Sequence, residues 1–132
     1  MVGEGSSEYA EKVKVEQLNT ILRQQKILNI RMIKIDVEGF EFEVLEGARE
    51  LLANSAAPAI CIEHGVYNDS QNYPLGRLLQ LNERYKLFQL VRTKRDASAL
   101  RLIQSIHQAR RRDNVFCLLP EHCSALRIRN DS

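Results

Sequence analysis

Apolar and polar positions along this chain follow two periods, one near two residues and one near 3.6. Arg31–Asp36 reads as a strand, with Met32, Ile33 and Ile35 apolar. Ala59-Ile60-Cys61-Ile62, Lys86–Val91 and Asn114–Leu119 read as three more, and Pro120 ends the last. Val13-Lys14-Val15 alternates weakly and is a candidate short strand. Helical spacing appears between them. Leu18, Ile21 and Leu22 share a face in 18–25, and Phe40, Val44, Leu45, Ala48, Leu51 and Leu52 share one in 40–54. Leu75, Leu78, Leu79 and Tyr85 predict a helix over 75–85. Leu100, Ile103 and Ile106 predict one over 97–110. Strands alternating with helices predict an α/β fold, a mainly parallel sheet flanked by helices. The unbroken apolar runs agree, because parallel strands are buried on both faces.

The ends of the chain read differently. Residues 1–10, rich in Gly, Ser and Glu, are expected to be a disordered lead-in. Residues 11–120 form the domain, and 121–132 a polar tail. At 132 residues there is chain enough for one core. An apolar fraction of 44% and a charged fraction of 27% are ordinary for a globular protein. No apolar run approaches the roughly 20 residues of a membrane helix, and the N-terminus lacks the layout of a signal peptide. The three cysteines, Cys61, Cys117 and Cys123, show no metal-like pairing and read as reduced thiols, so the expected compartment is the cytoplasm.

Net charge is only +2, but it is uneven. Residues 36–50 hold Asp36, Glu38, Glu41, Glu43, Glu46 and Glu50 against Arg49. Residues 84–112 are rich in Arg and Lys, with Arg110, Arg111 and Arg112 in a row. The simpler reading of that basic half is a set of solvated helix faces and loop ends; the other is a surface for an anionic partner. No aromatics interleave with the arginines from Arg92 to Arg112, so nucleic acid is not an expected partner.

The chemistry concentrates where strands end. Asp36 closes the first strong strand and Glu63 the second, with His64 next to Glu63 and Glu38 just past Asp36. In open α/β sheets, ligands bind outside the carboxyl ends of the strands. If the two strands are parallel neighbours, their acidic ends lie about 5 Å apart in strand spacing. Carboxylates there can orient a ligand hydroxyl or take its proton. Asp36 can also cap the following helix, alone or together with a site contact. The spacing is not that of a metal-ligand set.

These residues carry a family resemblance. Lys34-Ile35-Asp36-Val37-Glu38-Gly39-Phe40-Glu41, then Val44-Leu45-Glu46-Gly47-Ala48, then Pro58-Ala59-Ile60-Cys61-Ile62-Glu63-His64, resembles the core of the FkbM-type methyltransferases. The segment from Val13 to Leu18 is similar to the family's strand leading into Thr-Leu-Asp, with Gln17 and Asn19 where Thr and Asp are usual. The resemblance implies a partial class I methyltransferase, Rossmann-like fold. It implies S-adenosylmethionine as cofactor and O-methylation of a small-molecule or sugar hydroxyl. By that implication Asp36 and Glu38 are cofactor-side residues, and Asp36, Glu63 and His64 are catalytic candidates.

Two departures accompany it. The predicted 97–110 helix stands where the family has a β-hairpin. The donor-binding strand, Gly-rich turn and helix also have no counterpart, because Gly3-Glu4-Gly5 neither follows a strand nor opens a helix. The chain is therefore expected to be the C-terminal part of such a domain, as a fragment, a truncated product or a degenerate relative. The first strong strand then has an open edge, expected to be covered by self-association or by the Val13–Val15 segment. The alternative function is a non-catalytic α/β interaction module derived from a methyltransferase.

Overall fold

The computed structural model describes residues 16–26, 29–37, 39–65, 73–91 and 99–128. In chain order these form α1 (Leu18–Gln24), β1 (Met32–Ile35), α2 (Glu41–Gly47), α3 (Arg49–Leu52), β2 (Ala59–His64), α4 (Pro74–Leu81), β3 (Lys86–Val91), β4 (Ala99–Ile103), a 3-10 turn (Ile106–Gln108), β5 (Asp113–Leu118) and α5 (Pro120–Leu126). The candidate strand at 13–15 lies outside the described residues.

The strands make one five-stranded sheet in the order β1-β2-β5-β3-β4. β1 and β2 are parallel, in the register Met32↔Ala59 to Ile35↔Ile62. The pairs β2–β5, β5–β3 and β3–β4 are antiparallel. The sheet is thus mostly antiparallel, which corrects the expectation of a mainly parallel one. The cause is local. β1, β2 and β3 all run the same way, as their helical crossovers require, but β5 inserts between β2 and β3 in the opposite sense. β4 then folds back on β3 as a hairpin.

The hairpin overturns the helix expected over 97–110. Leu100 and Ile103 fit a helical spacing, but Leu100 and Leu102 fit a period of two equally well. The ladder offered by β3 decides between them, and Leu100 and Leu102 pack toward Phe88 and Leu118. The helical departure from the resembling family therefore disappears. The expected single helix over 40–54 is broken at Ala48 into α2 and α3. The expected polar tail begins as a helix, α5, with Pro120 in its first turn and Cys123 buried beneath it.

Two apolar layers follow from strand alternation. On one face Ile35, Ile60, Ile62, Val115 and Cys117 meet Leu45, Leu52, Leu75 and Leu78 of α2–α4. On the other, Ala59, Phe88 and Leu118 pack with Cys123 of α5. Polar groups inside are matched. Tyr85 donates to the carbonyl of Pro58 at 2.5 Å, and Asn82 donates to those of Leu52 and Asn54 at 3.0 and 3.2 Å. The three cysteines are free and buried. Among the described residues, no helix is long and apolar enough to cross a membrane.

Candidate functional site

The carboxyl ends of β1 and β2 lie side by side. Ile35 pairs with Ile62, so Asp36 and Glu63, one position further along, are adjacent at the same end of the sheet. Lys34 pairs with Cys61 across the ladder, so the two share a face of the sheet, and Asp36 follows Lys34 by two residues. Glu63 shares that face by alternation. Asp36 is exposed and Glu63 half-buried. Among the described residues neither carboxylate makes a hydrogen bond or ion pair.

His64 belongs to the opposite face, next in sequence to Glu63. It is only 6% exposed. Its Nδ1 shares a 2.8 Å hydrogen bond with the hydroxyl of Tyr73, the residue that precedes α4, and the two rings meet edge to face. Burial first, and the nearby Arg111 guanidinium second, hold the His64 pKa below its ordinary value. Burial raises that of Tyr73, against the opposing effect of Arg111. The structure thus brings Asp36 and Glu63 together and turns His64 away from them. Glu38 lies outside the described residues.

The turn after β1 explains several motif residues. Gly39 sits at φ +100°, a conformation side chains rarely adopt, with open space where a Cβ would stand. Its N–H donates to Glu41 Oε2 at 2.9 Å, and Glu41 is buried. Phe40 is the N-cap of α2 and makes no side-chain cap bond, so Asp36 does not cap this helix. Glu41 and Glu43 stand in its first turn, where the helix dipole favours them. Gly47 permits a close approach: a Cβ there would lie 3.3 Å from Gln17 Cα at the start of α1. Arg77 of α4 pairs with Glu46 of α2.

A third group reaches this end of the sheet from β5. Asp113 pairs with His64, and the Arg112 N–H donates to the His64 carbonyl at 2.6 Å. Sequence reasoning saw the arginine run but did not place it, because the antiparallel course of β5 is what returns it to the site. Tyr73 is a residue that the sequence alone did not single out; its position just before Pro74, a helix-start signal, was the available clue. Among the described residues, no group of three or more His, Cys, Asp or Glu side chains could hold a metal ion.

A family model described as "Methyltransferase FkbM domain" covers residues 3–95, well over half of the chain. No curated protein and no solved structure matches it.

Proposed function

The chain belongs to the FkbM methyltransferase-domain family, and on that premise we propose that it serves S-adenosylmethionine-dependent methylation of a hydroxyl group on a small molecule or sugar. The observation that carries this reading is the parallel register of β1 and β2, which sets Asp36 beside Glu63 at the ligand-binding end of the strands. An exposed carboxylate without a partner among the described residues fits a cationic sulfonium or a ribose hydroxyl. Asp36 is assigned that role, with Glu38 on the donor side by its place in the motif.

Asp36, with Glu38, would hold the donor, which would supply an electrophilic methyl carbon to the hydroxyl oxygen and keep the C–S bonding pair on sulfur as it leaves. The chain's own work is alignment and removal of the hydroxyl proton. Glu63 shares the face of Asp36 and is assigned as the proton acceptor. His64, neutral at pH 7 because its pKa is lowered, anchors the end of β2 through Tyr73 and is assigned as a positioning residue. Three buried free thiols suit a reducing compartment, and the cytoplasm is the proposed location.

Calorimetric titration with S-adenosylmethionine tests the reading. Among the described residues no Gly-rich turn joins a strand to a helix to cradle the donor, so binding is expected to be saturable but weak. The expected Kd is about 0.1 mM or higher, about −5.5 kcal/mol or less favourable. A Kd in the low micromolar range would show that the donor site is more complete than assigned. A second reading, a non-catalytic interaction module, is favoured by one observation: among the described residues β1 pairs only with β2. No binding heat at millimolar donor, with concentration-dependent association, supports that second reading.

A further inference from the structure

Among the described residues, the arginines of the basic half do not act as a unit. Arg84 is held by Glu121 and the Ser55 carbonyl, away from the strand ends. Arg101 lies exposed on β4. Arg110, Arg111 and Arg112 instead turn into β5 at the carboxyl ends of β2 and β3. With Val91 and Asp113 they line a cleft of about 410 Å³.

This turn is built. The side chain of Gln89, 1% exposed, clamps the backbone of Arg110 from both sides. Its amide donates to the Arg110 carbonyl at 3.0 Å, and its oxygen accepts from the Arg110 N–H at 2.8 Å. Arg112 sits at φ 60°, the left-handed region that favours glycine, and its N–H is fixed on the His64 carbonyl. A buried clamp and a strained non-glycine residue, both holding one short turn, are the pattern of a pre-organised site.

The charges are unequal. The Arg110 guanidinium donates to the Leu90 carbonyl and to Asp113 Oδ2, the latter at 3.0 Å. Asp113 Oδ1 accepts from the Asn114 N–H at 2.8 Å, so the carboxylate that lines the cleft among the described residues is engaged. Arg111 and Arg112 are exposed and, among the described residues, make no ion pair. Two uncommitted guanidinium groups match a dianionic tetrahedral group better than a single carboxylate, and guanidinium forks bind phosphate oxygens in pairs.

We propose that the Arg111–Arg112 turn binds a phosphate group carried by the small-molecule methyl acceptor, beside the strand ends that hold Asp36 and Glu63. The substrate class is then a phosphorylated small molecule with a free hydroxyl. The identification as acceptor rests on the methyltransferase reading; the anion site does not. The turn lies past residue 95, where the family match ends. Among the described residues no aromatic side chain lines the cleft to stack a base, which favours a small phosphate monoester over nucleic acid.

The test is a titration of the ¹⁵N-labelled full chain with inorganic phosphate at constant ionic strength, without S-adenosylmethionine. The expected result is saturable shifts confined to 110–113 and 64–65. The pair R111Q and R112G should weaken binding about tenfold or more. Glycine at 112 takes the left-handed conformation without strain, so that variant keeps the fold. Absence of saturation, equal response at Arg49 and Arg84, or unchanged binding in the double variant overturns the site. Tighter binding of a short single-stranded oligonucleotide than of phosphate overturns the small-acceptor assignment. If donor binding fails while phosphate binds, the methyltransferase reading falls and the anion site stands; the reverse result removes only this inference.

Discussion

At the scale of single residues, the motif after β1 divides into side chains that shape a turn and side chains left for chemistry. Gly39 and Glu41 shape it. G39A meets no steric obstacle, so its cost is purely conformational, about 1–2 kcal/mol. E41A removes the acceptor for the Gly39 N–H and should cost about 1–2 kcal/mol, with E41Q losing less because an oxygen acceptor remains. Denaturant midpoints of the three variants check both figures. His64 gives a pH signature. Its pKa lies below the ordinary 6.5, through burial and then Arg111, with Tyr73 and Asp113 also facing it. Between the lowered value and 6.5 the unfolded chain binds more protons than the native one, so stability rises with pH across that window and falls as pH drops through it. His122 is shifted the same way by burial, and its Nδ1 accepts from the Leu119 N–H. Stability measured from pH 5 to 7 should therefore slope upward, less steeply in H64Q; an unchanged slope in that variant would remove His64 from the account.

At the scale of elements, what the sequence disclosed tracks how far each segment decides its own structure. β1, β2 and β3 are apolar runs bounded by polar ends, and they stand where the pattern put them, as do α1 and α4 to within a few residues. β4 was unreadable, because in five residues Leu100, Leu102 and Ile103 satisfy both periods and only the ladder of β3 settles the choice. α5 was hidden because its buried surface centres on Cys123 in an otherwise polar stretch. The parallel pairing of β1 with β2 was legible, since one helical crossover joins two buried strands. The antiparallel insertion of β5 was not, and with it went the place of Arg110–Arg112. Gly47 shows a coupling between elements that composition hides. G47A gains helix propensity but presses its Cβ on Gln17, and α1 has no buried residue to resist displacement. Its expected effect is near neutral on global stability, within about 1 kcal/mol, with faster amide exchange over 18–24. The edge of β1 that has no partner strand among the described residues carries a further expectation. Met32 is 54% exposed and Phe40, beyond the strand end, 65%. Such an edge pairs with other chains unless charged residues such as Lys34 prevent it. Light scattering should show association that grows with concentration, with slowed exchange at 31–36; a strict monomer whose edge amides exchange freely would refute this.

At the scale of the whole molecule, one end of the sheet gathers the chemistry. α2–α4 cover one face and α5 part of the other, while the carboxyl ends of β1, β2 and β3 and the turn into β5 collect the unengaged acids, the His64–Tyr73 pair and the arginines. That segregation follows from topology: strands running the same way deliver their carboxyl ends to one rim, and the reversed strand delivers its amino end there too. The most direct measurement maps donor contact onto this rim, by amide shifts of the full chain titrated with S-adenosylmethionine to millimolar concentration. The account predicts weak, saturable shifts at Asp36, Val37 and Glu63 to Gly65, lost in D36N. Shifts centred elsewhere, or none at the ends of β1 and β2, would contradict it.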